Sequence, residues 1–423
     1  MELCKRCKVK EMTLVSRKEK FCDDCFVRFV RGKQRKQMQD EKFKVKFKDH
    51  LSRTRLLLDF KNNIESYALF DILISMLSEQ LTQGPKAVRG FDLVVALIHD
   101  GKDGYKVDLN KLMEFYTPKE FQRLGVEFVE VDPNDYVFKS ELENLNLDLQ
   151  NFEAYVNYNI PNKIQTYDEL LSQIADKSTK EDISTILHKD MIIATAKKNN
   201  CSIIVNPNSM TQMSVEILSD TITGRGAEIP MKLHDAYIEN LEVIYPMGDA
   251  LLSEVKMYAN VRRLTGLSKA FEHELSISDV STKNKTVMDM VAEYFQTLEV
   301  EYPEVVSTVV KIGAKLANPS EKSVFFCELC KNPIYHDPKK WLEQITVPDC
   351  VPPQNEEEEF NLKRYQDSIY KVKQDFTGED QNKTKLCYGC MVTLGVSQIK
   401  DFQWPQRATR EEILQEYILS DEE

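Results

Sequence analysis

Leu56-Leu57-Leu58-Asp59-Phe60-Lys61-Asn62-Asn63-Ile64-Glu65-Ser66 is the stretch on which the fold turns. An apolar run, a polar turn and then helical spacing through Leu69, Ile72, Leu73 and Leu77 read as a buried strand, a loop and a helix. The same alternation continues outward. Phe91–His99 reads as a second strand, Lys111–Leu124 as a helix and Val126–Val131 as a third strand. Residues 132–165 are Asn-rich and read as an irregular insertion. Two helices follow in Tyr167–Asn199, with a break near Ser178-Thr179. Strand Cys201–Asn206, helix Met210–Ile222, strand Leu241–Tyr245 and helix Ala250–Leu264 complete the pattern. Strands apolar along their whole length, alternating with helices, predict an α/β fold with a parallel sheet covered on both faces. Ligands of such sheets sit beyond the carboxyl ends of the strands.

The chain has 423 residues, 42% of them hydrophobic and 29% charged, a composition that supports a large core without disulfides. The longest apolar run, Leu93–Ile98, is far shorter than the roughly 20 residues of a membrane span. The opening Met1-Glu2-Leu3-Cys4-Lys5 lacks the apolar core of a secretory signal. The expectation is a cytoplasmic protein with no membrane partner. The net charge of −12 is unevenly spread. Arg28 to Arg55 holds eleven Lys or Arg against three Asp or Glu, whereas Glu356–Glu359 and the final Asp421-Glu422-Glu423 are acidic. A basic stretch binds nucleic acid through its local field even in an acidic chain. A solvated helix face explains the same charges equally well.

Eight of the ten cysteines fall in four Cys-x-x-Cys pairs. Fourteen residues separate the pair Cys4/Cys7 from Cys22/Cys25, the spacing of a zinc ribbon or treble clef. Each pair brings two thiolates together on a tight turn, and two turns complete a tetrahedron. Cys327/Cys330 and Cys387/Cys390 could close a second zinc site around a long acidic insertion. Alternatively they form two separate turns, with His336 or Cys350 as a further ligand. One or two Zn2+ ions are therefore the expected cofactors. Cys201, heading an apolar run, reads as a buried structural cysteine.

The turn after the first strand is where an α/β protein places a phosphate loop. An ATP pyrophosphatase loop reads Ser-Gly-Gly-x-Asp-Ser, and its glycines let backbone N–H groups approach phosphate. Here Lys61 stands for the first serine, Asn62 and Asn63 for the glycines, and Glu65 for the aspartate; only Ser66 is kept. Active members of that class carry Gly-His-Asn-x-Asp-Asp after the fourth strand. The matching Asn206-Pro207-Asn208-Ser209-Met210-Thr211 has lost both acids. The domain reads as a degenerate PP-loop ATPase of the adenine-nucleotide α-hydrolase type, with ATP not expected to be used. Thr223-Gly224-Arg225-Gly226 fits the family's helix exit, and Arg225 could face an anion.

In its order of features the chain resembles the second, non-catalytic subunit of the cytoplasmic tRNA 2-thiolation complex. The features are the N-terminal cysteine knuckle with Phe26 and its basic arm, the degenerate loop at 61–66 and Gly224-Arg225-Gly226. Tyr302–Val310 with Lys315-Leu316, and the late cysteine pairs before a Glu-rich segment at Arg410–Leu419, complete the set. The resemblance implies a heterodimer with the catalytic thiolase, which installs sulfur on the wobble uridine of Lys, Glu and Gln tRNAs. It also implies a ubiquitin-like sulfur carrier as donor to the complex. Under it, Arg28, Arg31, Lys33, Arg35, Lys36, Lys42, Lys44, Lys46, Lys48 and Arg225 are candidate tRNA contacts. Two other readings compete: an active adenylating thiolase using Cys201, and a zinc-ribbon adaptor unrelated to tRNA.

The expected organisation is a zinc knuckle at 1–27, a basic helical arm at 28–55 and the α/β domain at 56–265. A helical extension at 266–320, a C-terminal zinc element at 321–405 and a C-terminal helix at 406–423 follow.

Overall fold

The computed structural model describes residues 2–47, 53–98, 107–116, 118–140, 142–146, 164–233, 237–238, 240–267, 285–316, 325–335, 337–338, 341, 353, 355–364, 385–396 and 401–406. The expected C-terminal helix, Lys48, His336 and Cys350 lie outside the described residues.

The centre is a sheet of five parallel strands, with a sixth paired antiparallel at one edge. Strand β3 (Thr54–Phe60) lies between β4 (Phe91–Ile98) and β7 (Ile203–Val205). Beyond β4 comes β5 (Val126–Val131), and beyond β7 come β9 (Leu241–Ile244) and the edge strand β8 (Tyr237–Ile238). Alternate side chains point to opposite faces. Leu56, Leu58, Phe60, Leu93, Val95 and Ile203 pack with α2 (Ile64–Leu81) and α10 (Leu252–Val261). Leu57, Val94, Ala96 and Ile204 pack with Ile192, Ile193 and Ala196 of α7 (Lys177–Lys198). Both faces are covered, which explains why the strand sequences are apolar throughout rather than alternating.

The flanking modules are not separate bodies. The hairpin β1 (Leu14–Ser16) and β2 (Glu19–Phe21) leads into helix α1 (Asp23–Gln37). That helix begins inside the expected knuckle, so the boundary at 27/28 does not exist as a break in the chain. Phe21, Phe26, Val30, Met38 and Phe43 share one core with the sheet and α2. At the other end, β10 (Phe325–Phe326), β11 (Pro333–Ile334), α13 (Tyr388–Val396) and β12 (Asp401–Pro405) return to the middle of the chain. The expected irregular insertion instead supplies α5 (Pro133–Lys139) and β6 (Leu142–Asn146), and β12 pairs antiparallel with β6. Leu145, Tyr167, Leu170, Ile183, Leu187, Leu329, Leu394, Phe402 and Trp404 form this second core, with α6 (Tyr167–Ser172). The break between α6 and α7 falls at 173–176, before the expected Ser178, because Asp176 caps α7 by accepting from Thr179 N. The expected helix at 111–124 is two helices, α3 (Leu109–Tyr116) and α4 (Pro118–Leu124). A proline suits the first turn of α4 but would break a continuous helix.

Helix α8 (Met210–Ile222) is covered by a helical pair, α11 (Val287–Glu301) and α12 (Pro303–Gly313), through Val215, Val291, Phe295 and Val306. Among the described residues no helix is long and apolar enough to cross a membrane.

Asp71 joins four of these helices. It is fully buried and accepts from Tyr116 Oη of α3 at 2.8 Å and Tyr258 Oη of α10 at 2.6 Å. Arg262 donates to both of its oxygens at 2.9 and 3.0 Å, and Arg31 of α1 lies 3.7 Å away. Burial works against the charge, but Arg262 and Tyr258 outweigh it and hold the carboxyl below its usual range. Removing one side of such a buried network strands the other donors. Asp71→Ala should therefore lower stability by about 3 kcal/mol, and Tyr116→Phe by about 1 kcal/mol. Urea denaturation checks both; an Asp71→Ala midpoint equal to wild type would show that the network carries no stability.

Candidate functional site

The carboxyl edge of the sheet is where a nucleotide would bind, and the loop after β3 sits there. Asn62 takes φ +47, the left-handed region where glycine is commonest, and its Oδ1 accepts from Tyr67 Oη at 3.1 Å. Asn63 caps α2, and its Oδ1 accepts from Ser66 N at 2.9 Å and Ser66 Oγ at 2.7 Å. Ser66 Oγ in turn accepts from Lys61 N at 3.0 Å. The amides of Lys61 and Ser66, which would face phosphate in an intact loop, are thus satisfied by the loop's own side chains. Glu65 is buried and reaches the second helix N-terminus at this edge, its Oε1 accepting from Ser209 N at 2.7 Å. Ser209 itself caps α8. Negative charge is already supplied where two helix N-termini converge.

Beside the loop lies a cavity of about 240 Å³, walled by α7, α8 and the ends of β3, β7 and β9. Asp59 stands at its floor, bonded to His188 Nε2 at 2.8 Å and 3.5 Å from Lys61 Nζ. Burial raises the Asp59 carboxyl, but His188 and Lys61 outweigh it and hold it at about 2. Burial also opposes the charge of Lys61, yet Asp59, Glu216 and Glu65 keep its ammonium above the ordinary range. Lys232 Nζ pairs with Asp220 Oδ2 at 2.6 Å. Lys61, Lys232 and Arg225 of this wall are each matched by a carboxylate of the protein. His188, Glu216 and Lys232 carried no local signal in the sequence; only the packing of α7, α8 and the short helix α9 (Ile229–Leu233) brings them to this wall.

Cys201 is at the wrong end of the sheet for chemistry at this edge. Parallel pairing sets Leu56 opposite Ile203, so Cys201 falls level with Thr54. That places it about seven residues, or roughly 23 Å, along the strand from Lys61. Its Sγ donates to Asn199 O, and burial pushes its thiol up to about 11. Every other cysteine among the described residues belongs to one of the two four-cysteine groups.

Those groups are built to one plan. Within each, the four sulfurs lie within 4.8 Å of one another. The first pair of each group sits on a knuckle: Lys8 N donates to Cys4 O, and Lys331 N to Cys327 O, both at 2.9 Å. Lys8 and Lys331 have φ of +57 and +59. The second pair begins a helix, with Cys22 capping α1 and Cys387 preceding α13. A helix N-terminus favours thiolate. Burial raises the Cys4 thiol, but backbone N–H groups of Cys7, Cys22 and Arg6 hold it at about 6. Four thiolates around one tetrahedral ion at 2.3 Å stand about 3.8 Å apart. Cys7 and Cys22 sulfurs are 3.8 Å apart, and Cys330 and Cys387 sulfurs 3.6 Å. Both groups could hold a single metal ion. The first leaves Cys7 and Cys25 half-buried, whereas Cys327, Cys330 and Cys390 of the second are buried.

Several basic residues read as RNA contacts are engaged within the protein. Arg31 bonds Tyr258 Oη and Ser75 Oγ, and Lys33 pairs with buried Glu254 at 2.5 Å. Lys42 pairs with Glu242. Arg225 is 4% exposed and bonds Asp182, Glu228 and Cys390, so the anions it faces belong to the chain itself. These residues hold α1 and the second cysteine group to the sheet domain. Arg28 and Lys36 are exposed, and exposed Arg35 and Lys44 pair with Glu79 and Glu41. Lys46 forms a backbone bridge with Val88.

Fold and site define an α/β protein with a parallel sheet, two four-cysteine groups and a self-capped loop at the sheet's carboxyl edge. The U34-tRNA thiolase NcsA from Methanococcus maripaludis, solved with its [4Fe-4S] cluster, shares the fold. The TM-score is 0.50 at 11% identity, over 84% of this chain and 99% of that one. By sequence the chain belongs to the family of cytoplasmic tRNA 2-thiolation protein 2. The family model matches residues 286–392, which run from the cap of α11 through the second cysteine group. The Debaryomyces hansenii protein of that name is 34% identical, across 99% of this chain and 96% of its own. The Scheffersomyces stipitis protein is 33% identical over the same shares, and a Saccharomyces cerevisiae one 27% identical over 95% and 93%.

Purified full-length protein should carry two equivalents of metal by elemental analysis. Cys4→Ser and Cys327→Ser should each remove one; loss of neither would show that the cysteine groups are empty.

Proposed function

We propose that this chain is the non-catalytic subunit of a heterodimeric cytoplasmic complex that makes 2-thiouridine at the wobble position of Lys, Glu and Gln tRNAs. The observation that carries the reading is the loop at 61–66, whose phosphate-facing amides are satisfied by Asn63 and Ser66. Glu65 adds a carboxylate where a triphosphate would need cationic or N–H partners. Sulfur transfer also needs a reactive thiol or cluster at the reacting edge; Cys201 is at the opposite one, and Cys330, which lines that edge, is one of four thiols gathered around a single metal position. Adenylation and sulfur transfer therefore fall to the thiolase partner, which receives sulfur from a ubiquitin-like carrier. The metal is Zn2+ in both groups, since a tight all-thiolate tetrahedron suits that ion. Arg28, Arg35, Lys36 and Lys44, on the outer side of α1 and the turn after it, are the proposed tRNA backbone contacts.

The test is the thiolated fraction of wobble uridine, read by retardation on a mercury-containing gel. Deleting this chain should abolish thiolation, and a copy carrying Lys61→Ala or Cys201→Ser should restore it to within about twofold of wild type. A folded, abundant Lys61→Ala or Cys201→Ser variant that behaves like the deletion would return catalysis to this chain. For tRNA contact, Arg28→Ala with Lys36→Ala should weaken binding by the complex and flatten its salt dependence. Unchanged affinity and slope would move the RNA surface elsewhere.

A further inference from the structure

We infer that Arg225 is the positioning residue that locks the second cysteine centre onto the α/β body, as counter-cation to its metal–tetrathiolate. The inference rests on the reading that Cys327, Cys330, Cys387 and Cys390 hold one divalent ion. Four thiolates and such an ion carry a net double negative charge. At the first centre, half-buried Cys7 and Cys25 expose that charge to water. At the second, Cys327, Cys330 and Cys390 are buried and only Cys387 is half-buried, so solvent screens it less. A buried charge needs a paired, hydrogen-bonded partner.

Arg225 supplies it. Its Nη1 and Nη2 lie 3.4 and 3.5 Å from Cys390 Sγ. Its Nε donates to Asp182 at 3.0 Å and its Nη1 to Glu228 at 3.2 Å. The planar fork thus bridges the thiolates to α7 and to the turn after α8. Without it, Asp182 and Glu228 would face the anionic centre directly.

Backbone shape supports the same role. Gly224 has φ +80, and a Cβ there would lie 2.7 Å from Tyr388 Cε1. A Cβ on Gly389 would lie 2.5 Å from Arg225 Cγ. The segments 224–225 and 388–389 interlock, each placing a glycine under the other's large side chain. Cys330 and Arg225 both line the carboxyl-edge cavity, so the lock also forms part of that wall.

The experiment follows metal transfer from the full-length protein to a chromogenic chelator. Wild type should release two equivalents in separate phases, assigned with Cys4→Ser and Cys327→Ser. Arg225→Gln should speed the second-centre phase at least tenfold and leave the first-centre phase unchanged. Arg225→Lys keeps charge without the fork and should fall between them. Wild-type release of both equivalents by a folded Arg225→Gln protein would overturn the inference. If the glutamine variant does not accumulate, Arg225→Lys decides: a wild-type second phase overturns it, and a selectively faster one supports it. A wild-type protein with one equivalent, lost in Cys4→Ser and kept in Cys327→Ser, overturns the metal reading itself.

Discussion

A parallel sheet gathers helix N-termini at its carboxyl edge, and their N–H groups need acceptors. The rest of this molecule depends on how that demand is met. In a phosphate-binding relative the ligand is the acceptor. Here Asn63 and Ser66 close the loop amides on themselves, and Glu65 crosses to the N-terminus of α8 at Ser209. The amides of Lys61, Ser66 and Ser209 thus have their acceptors within the chain. The strand, turn and helix that frame a nucleotide site persist because they also hold the core, with Leu56, Leu58, Phe60 and Leu69 all buried.

The two cysteine centres are tied to this body by opposite means. At the N-terminal centre, the body contributes the buried anion: Glu254 of α10 receives Ser16, Arg17 and Lys33 from the knuckle and α1. At the C-terminal centre, the body contributes the buried cation Arg225. Each contact joins residues more than 150 positions apart. Phe21 and Phe26 bury the first knuckle against the main core and Leu329 and Leu394 bury the second group, and the ion pairs add a directional tie to each. This explains why much of the basic stretch from Arg28 onward is not a free surface. Arg31, Lys33 and Lys42 neutralise Asp71, Glu254 and Glu242.

Shared cores also explain why the apparent domain boundaries dissolve. Trp404 and Phe402 pack with Leu145 and Leu170, so the C-terminal strand completes a module begun some 250 residues earlier. No composition shift marks such a return, because it depends on the pairing of β12 with β6.

The sequence by itself determined the alternating α/β pattern, the apolar strands and the two sets of thiol ligands. Each of these is written in local spacing: period, apolar runs and Cys-x-x-Cys. It also carried the loss of the loop glycines, since Asn62 and Asn63 stand where they would be. Tertiary structure decided which charges are surface and which are internal. Arg225 and Arg28 look alike in the sequence, yet one is buried against three partners within the chain and the other faces solvent. It also decided that Cys201 lies at the opposite edge from the loop, because strand register is a long-range property. Burial and pairing are set by elements distant in the chain, and local residue pattern holds no record of them.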